Sequence, residues 1–286
     1  MAFDAERLGR HRFAPVEQQY SERDAILYAL GVGLPGDPLD AGDLAFLLED
    51  RLKVLPTYAA TLATLGMWVR DPSFGIDWVR LLHSAQAATF HAPLPRAAKV
   101  RAEARIRSLH DRGVEKGAVC VVERRISDAA TRESYCTVEQ TLILRGNGGF
   151  GGDAPPRVEP RHLPGRAPDA VAQVAVSPRA ALIYRLSGDL NPLHADPEVA
   201  RKAGFDRPIL HGLASYGIAG AQILKHFCGD DPMRLKSLSM RFSGVVMPGD
   251  RIDFSMWREG DAVLFEAKTG PRTVLDQGFA LVDDGS

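Results

Sequence analysis

The feature that most constrains this fold is one apolar helical segment, which runs from about Gly212 to Phe227. Its sequence, GLASYGIAGAQILKHF, places small and apolar side chains around almost the whole circumference of a helix. A helix at a protein surface keeps a polar face, whereas a helix that is apolar all round has to be buried. The runs that follow it have the residue types of strands. We therefore expect this helix to lie inside a sheet.

Helix and strand patterns recur in the same order in both halves of the chain. In the second half a capped helix begins at Asp196-Pro197 and ends at Gly204, ahead of the apolar helix. In the first half one helix begins after Ser21, and a second helical stretch covers Tyr58–Leu65. The predicted strands are Trp78–Leu82, Ala104–Ser108, Ala118–Ile126 and Ser134–Leu144, then Leu235–Phe242, Asp250–Trp257, Ala262–Lys268 and Val274–Leu281. This order predicts an α+β fold in which a buried helix is wrapped by an antiparallel sheet, formed twice.

A glycine- and proline-rich segment separates the two halves. Between Gly146 and Asp169 the chain has six glycines and five prolines, which exclude a regular helix or a central strand. A chain of 286 residues is long enough for two units of ordinary size. We therefore predict one unit over residues 1–147, a crossover over 148–168, and a second unit over 169–286.

Composition excludes several classes of function. The formal net charge is −1, so the chain as a whole has no field that would attract nucleic acid. No stretch approaches the ~18 consecutive apolar residues of a membrane span. The charged start MAFDAERLGR and the end VDDGS lack secretory and peroxisomal signals, which predicts a cytoplasmic protein. The three cysteines have neither metal-site spacing nor an even number, and we expect free buried thiols at Cys120, Cys136 and Cys228.

The turn between Asp189 and His194 has the residue types of an acid/base site. The two residues stand five apart in the sequence DLNPLH, where Pro192 fixes one φ angle and Asn191 can bond locally. A carboxylate and an imidazole aimed at one point can bind a water, accept a proton and return one. The alternative is an ordinary capped turn with a buried histidine. A metal site that also uses Asp196 is disfavoured, because Asp196 precedes a proline as a helix cap, and we predict no metal.

The residues around this turn resemble a known family. The stretch SGDLNPLHADPEVARKAGFDRPILHGL is similar to the signature of the MaoC-type, or type 2, (R)-specific enoyl-CoA hydratases. The resemblance extends to the first half in YSERDAILYALGVG, KVLPTY, LLHSAQ followed by PLP, and LRGNGGFGG. It implies a double hot-dog fold, a degenerate first unit that binds CoA and substrate, and one catalytic centre in the second unit.

The resemblance also assigns roles to residues of the second unit. It implies that Asp189 and His194 bind the reacting water, that Asn191 supports them, and that the Gly212 N–H binds the thioester oxygen. The last role is physically reasonable, because free N–H groups at a helix start stabilise a developing oxyanion. Substrate contacts are expected from the remaining turn residues, Leu190, Pro192 and Leu193.

Contacts to CoA are implied by weaker matches. His83-Ser84 stands where the family has a His-Gly pair, so a serine replaces the glycine. A basic residue of the family matches either Arg112 or Lys116, and both suit a phosphate. Phe242 falls at the position of a ligand-facing aromatic.

Together these features predict a hydro-lyase that converts trans-2-enoyl-CoA and water to (3R)-3-hydroxyacyl-CoA. No cofactor is expected beyond the CoA of the substrate, and the resemblance implies a homodimer. Three alternatives stay open at this point. They are the same reaction on a specialised acyl group, such as a steroid side chain or a carrier-protein-bound acyl group, a hot-dog thioesterase, and an acyl-CoA-binding protein without activity.

Overall fold

A single ten-stranded antiparallel sheet is the framework of the protein. The structure, a computed structural model, describes residues 2–283, so Met1 and the last three residues of the VDDGS tail lie outside it. The strands are β1 (Val16–Tyr20), β2 (Leu81–Phe90), β3 (Ala98–Asp111), β4 (Ala118–Asp128), β5 (Ser134–Leu144), β6 (Ala170–Ala175), β7 (Leu235–Phe242), β8 (Arg251–Glu259), β9 (Ala262–Thr269) and β10 (Arg272–Val282). The helices are α1 (Ala5–Arg10), α2 (Glu22–Gly31), α3 (Ala41–Leu44), α4 (Ala180–Tyr184), α5 (Pro197–Lys202) and α6 (Gly212–Phe227).

The two halves of the chain share this sheet edge to edge. The strand order is β1-β3-β4-β5-β2-β7-β10-β9-β8-β6, so the first five strands in space come from the first half. The junction is the pairing of β2 with β7, from Ala85 opposite Arg241 to Thr89 opposite Ser237. The expected α+β class and the antiparallel strands of each half are therefore present, with the two sheets joined into one.

The apolar helix is confirmed with the predicted ends. α6 spans Gly212–Phe227, and eleven of its residues are buried against the sheet. Two glycines of α6 let the first half approach closely, because a Cβ at Gly217 would clash with Val32 and a Cβ at Gly220 would clash with Thr57. α6 is thus the centre of one core to which both halves contribute.

Among the described residues of the first half, no long helix corresponds to α6. The helix expected over Tyr58–Leu65 is wrong. A short 3-10 helix covers Pro56–Ala60, and further 3-10 turns lead to Arg80. Ala63 has a φ of 45°, and its N–H donates to the side chain of Gln18 rather than to a helix carbonyl. Because the chain turns away here, space stays open beneath the inner face of the first half's strands.

Most other predicted elements are confirmed. β5 and β7 have the predicted ends, β4, β8, β9 and β10 agree to within two residues, and the capped helix at Asp196-Pro197 is α5. The predicted strand at Ala104–Ser108 is the middle of β3. The strand at Trp78–Leu82 is wrong, because Trp78–Arg80 forms a 3-10 turn and β2 begins at Leu81.

The segment between the two halves has no regular secondary structure. Residues 147–168 contain no helix or strand. The crossover is fixed at its start by Asp111, whose carboxylate accepts the N–H groups of Gly149 and Gly151 at 2.8 Å each. The three cysteines are free and buried. Within residues 2–283, no helix is long and apolar enough to span a membrane.

Candidate active site

A rigid turn presents Asp189 and His194. Gly188 has a φ of 119°, a conformation that suits glycine, and it redirects the chain after the 3-10 turn Arg185–Ser187. The Asn191 side chain accepts the Leu193 N–H at 3.2 Å, and the Asn191 N–H donates to Asp189 Oδ1 at 3.2 Å. Asn191 therefore holds the turn together, which is a physical basis for its supporting role.

One hydrogen bond fixes the tautomer of His194. Its Nδ1 lies 2.9 Å from the carbonyl oxygen of Ile209, an acceptor only, so in the neutral ring Nδ1 carries the proton. Nε2 is then left with a free lone pair. Burial is the main cause that lowers the pKa of His194. At neutral pH the ring is uncharged, and Nε2 can accept a proton.

A second histidine, which the sequence argument missed, completes the cluster. His211 is fully buried, and its ring stacks on that of His194 with centroids 3.7 Å apart. Its Nε2 donates to the backbone carbonyl of Asp189 at 3.2 Å. Burial, and then the charge that His194 would carry, lower the pKa of His211 to about 4. Its place directly before Gly212, at the start of the apolar helix, was the signal available in the sequence.

Side chains of this cluster lie within reach of one small ligand. One oxygen of Asp189 and one nitrogen each of His194 and His211 all lie within 4.8 Å of one another. A water between Asp189 and His194 would therefore contact both. Among residues 2–283 these three residues also form the one candidate metal cluster.

The geometry favours a water over a metal ion. Stacked imidazoles hold their in-plane lone pairs side by side, whereas a metal needs ligands that converge. Asp196, the third ligand considered from the sequence, caps α5 by accepting the Glu198 N–H at 2.8 Å. That the reaction needs no metal stays a prediction.

The start of α6 lies at the cluster. His211 is the residue before the helix, and the N–H groups of Ala214 and Ser215 donate the first hydrogen bonds of the helix to the His211 carbonyl. The N–H groups of Gly212 and Leu213 have no acceptor among the described residues, as expected for a first turn. Gly212 is exposed, so a ligand can reach its N–H. A Cβ at Gly212 would touch only the Phe242 ring, at 3.5 Å.

Phe242 lies beside this helix start and contacts His83 of β2. The His83 ring packs edge-on against Phe242 with centroids 5.1 Å apart, and its Nε2 lies 3.1 Å from the Ala85 carbonyl. Ser84 occupies a bulge in β2, where the register with β5 shifts, and its hydroxyl donates to the Thr141 carbonyl at 3.1 Å. The serine that replaces the family's glycine is thus accommodated by a bulge and a backbone bond.

A cavity of about 370 Å³ opens next to Asp189. The turn contributes Leu190, Asn191 and Pro192 to its lining, and α6 contributes Leu213, whereas Leu193 does not line it. The first half contributes the segment from Ala60 to Arg70 and two strand residues that the sequence argument missed, Arg124 and Gln140. The cavity is therefore built by both halves of the chain.

The two candidate phosphate partners lie elsewhere. Arg112 and Lys116 are exposed in the turn that joins β3 to β4. The Arg112 N–H donates to the Gly117 carbonyl at 2.9 Å, which closes this turn. Neither side chain has an acidic partner among residues 2–283. Both are available to an anion, and the assignment between them stays a prediction.

Comparison with known proteins identifies the family of the chain. Residues 160–277 match the MaoC like domain, and residues 18–146 match the MFE-2 hydratase 2 N-terminal domain. The chain is 38% identical to the peroxisomal enoyl-CoA hydratase 2 of Arabidopsis thaliana, over 96% of this chain and 94% of that protein. It superposes on a MaoC-like dehydratase from Phytophthora capsici with a TM-score of 0.86 and 30% identity, covering 99% of this chain and 100% of that one.

A more distant structure identifies the fold. A Mycobacterium tuberculosis protein described as a double hotdog fold superposes with a TM-score of 0.56 and 16% identity, over 95% of each chain. At that identity the likeness shows the fold alone. The expected double hot-dog fold is confirmed.

Proposed function

Because the chain belongs to the MaoC-like dehydratase family, in its two-unit hydratase 2 form, we propose that it adds water to trans-2-enoyl-CoA thioesters through Asp189 and His194. Hydration of enoyl-CoA in fatty-acid metabolism is the activity of the family's hydratase 2 members, and the product expected here is the (3R)-3-hydroxyacyl-CoA. One observation carries the assignment to these residues. The Asp189–His194 pair lies beside His211, which directly precedes α6, and Asp189 and Leu213 of α6 line a cavity to which both halves contribute.

Each group at the site has one role in the proposed hydration reaction. His194 Nε2 accepts a proton from a water held between the pair, while the water oxygen bonds to C3 of the substrate. The electrons of the double bond move to the thioester oxygen, where the Gly212 N–H stabilises the enolate. The pair then returns a proton to C2. One water is consumed, and neither side chain ends with a changed protonation state.

The neutral state of His211 supports this arrangement. A protonated ring stacked 3.7 Å from His194 would oppose proton transfer to Nε2. Because burial keeps the pKa of His211 at about 4, the ring stays neutral while His194 takes up its proton. His211 thus holds the backbone of Asp189 in place through its hydrogen bond to the Asp189 carbonyl. Its neutral ring also leaves His194 free to take up a proton.

The test is a hydration assay with purified protein. Loss of enoyl absorbance with crotonyl-CoA or a longer homologue, and formation of the 3-hydroxyacyl product, are expected with and without a chelator. Release of free CoA thiol would instead identify a thioesterase, and binding without turnover would identify an acyl-CoA-binding protein. Loss of the activity with chelator would contradict a reaction that needs no metal. A cytoplasmic location and a homodimer stay predictions from the sequence.

A further inference from the structure

A buried arginine faces the cavity beside Asp189. Arg124 lies on β4 and shares the inner face of the sheet with Val122 and Ile126. It is only 5% exposed, yet it lines the cavity. Its place is unusual, because arginine is rarely buried without a charged partner.

The charge of Arg124 is not balanced by the protein. On the outer face, Arg105 and Arg125 both pair with Glu123, at 2.9 Å and 3.3 Å. Arg124 has no acidic partner among residues 2–283. Its Nη2 donates to the backbone carbonyls of Ala60 at 2.7 Å and Ala59 at 3.3 Å, which are neutral acceptors.

Part of the guanidinium is free to bind a ligand. Arg124 Nε is buried without a partner, and Nη1 makes no hydrogen bond within the described part of the chain. Because Nη1 is not among the buried unpaired atoms, it is the nitrogen left to face the cavity. Burial lowers the pKa of Arg124 to about 10, so the group still carries its charge at neutral pH. An isolated buried charge is unfavourable until an anion reaches it.

The strand register places Arg124 at the inner end of the cavity. Arg124 is opposite Val138 of β5, whereas His83, beside the helix start, is opposite Leu142. Four residues along a strand correspond to about 13 Å. Gln140 lies between these two levels, lines the cavity and makes no side-chain hydrogen bond with a described residue. The cavity therefore runs from the reacting centre to a charged end, with an amide donor between them.

We propose that Arg124 and Gln140 form a carboxylate-binding end of the acyl cavity, so that this enzyme accepts enoyl-CoA substrates whose acyl chain ends in a carboxylate. This inference rests on the proposed function, because it takes Asp189 as the site of the reacting double bond. A guanidinium binds a carboxylate with charge-assisted hydrogen bonds, and a methyl end would leave the charge unpaired. The substrate class is thus the CoA monothioesters of dicarboxylic acids.

A purely structural role for Arg124 predicts something different. By donating to Ala59 and Ala60 it also closes the 3-10 helix Pro56–Ala60. If that were its only role, its loss would weaken all ligands of the cavity alike. A carboxylate-binding role changes the preference between two ligands that differ only at the chain end.

The test measures binding without turnover, on the full chain. Saturated acyl-CoA ligands are compared by titration calorimetry in sets of equal chain length, from medium to long, ending in a methyl, a carboxylate or a methyl ester. Because saturated ligands cannot be hydrated, the result does not depend on the proposed reaction, which the hydration assay tests separately. The variants are Arg124→Gln, Arg124→Lys and Gln140→Leu. The matched control is Arg125→Gln, which removes the neighbouring charge from the outer face.

The wild type should bind the carboxylate ligand about 10- to 100-fold more tightly than the methyl and ester ligands at one chain length. Arg124→Gln should abolish that preference, Arg124→Lys should keep part of it, and Arg125→Gln should keep all of it. Gln140→Leu, which keeps the 3-10 helix contacts, should reduce it about 2- to 10-fold, so the proposal stays testable if Arg124→Gln does not fold. Equal binding of the three ligands by the wild type at every length would overturn the proposal. A preference for the carboxylate ligand that neither Arg124→Gln nor Gln140→Leu changes would also overturn it.

Discussion

The imidazole rings of His194 and His211 stack with their centroids 3.7 Å apart and their planes inclined by 27°. Each ring is fixed through one nitrogen to a backbone carbonyl, His194 to Ile209 and His211 to Asp189. A charge on one ring therefore opposes a charge on the other. This relationship makes the site a pair of neutral histidines beside Asp189 at neutral pH.

The buried histidines predict acid instability. The unfolded state takes up a proton on His211 near pH 6.5, whereas the folded state does so only near its lowered pKa of about 4. The stabilising effect of keeping His211 neutral is complete above about pH 6.5 and is lost as the pH falls toward about 4. The free energy of unfolding, measured by urea denaturation across this range, should decrease by up to about 1.4 kcal/mol per pH unit for this residue. His211→Phe, which keeps a stacked ring, should flatten the curve. An unchanged slope in that variant would contradict the assignment.

Removal of the acid/base group of either Asp189 or His194 should greatly reduce turnover. Asp189→Asn and His194→Gln should each lower kcat by about 10²–10⁴-fold, the usual range for a positioned acid or base. Steady-state kinetics on an enoyl-CoA measures this. The double variant should be little worse than the worse single one, because the two groups act on one water. The control is Asp206→Asn, which changes an exposed aspartate outside the cluster and should leave kcat unaffected. Near-normal rates in both single variants would place the chemistry elsewhere.

Substitutions in the exposed β3–β4 turn should change KM more than kcat. Arg112→Ala or Lys116→Ala should raise KM by about 3- to 10-fold with a smaller change in kcat, because a partly screened phosphate contact contributes equally before and during reaction. At least one variant should make KM less sensitive to salt. The matched control is Arg132→Asn in the β4–β5 turn, where a φ of 66° suits asparagine. If KM and its salt dependence stay unchanged in both variants, CoA phosphate binds elsewhere.

Neither half of the chain should catalyse hydration by itself. A fragment that begins near Pro168 would expose the edge of β7, which pairs with β2, and the face of α6 that packs on Val32 and Thr57. An unpaired strand edge and an uncovered apolar face favour association. We expect the fragment to aggregate or self-associate, without wild-type turnover, as judged by size-exclusion chromatography and the hydration assay. A folded monomeric fragment with wild-type KM would show that the first half is only a scaffold.

The chain's own patterns determined much of the fold. The all-round apolar segment predicted the position and burial of α6. The run with Val, Ile and Thr predicted β5 to the residue, and the alternation of Leu238, Met240 and Phe242 with polar residues is consistent with the predicted β7, because burial pattern and β-propensity are local properties. β2 was largely missed. Its AQAATF sequence has low β-propensity, and it is a strand because β5 and β7 pair with it on both sides.

The same division holds for the site. Asp189, Asn191 and His194 could be predicted because one proline-fixed turn and the family signature hold them together in the sequence. His211 and Arg124 were missed, although alternation along β4 already places Arg124 on the inner face with Val122. Their roles depend on contacts with residues 22 and 64 positions away, from His211 to Asp189 and from Arg124 to Ala60. Only the tertiary structure decides these, because burial and the lack of a charged partner are properties of the space around a side chain and not of its neighbours in the chain.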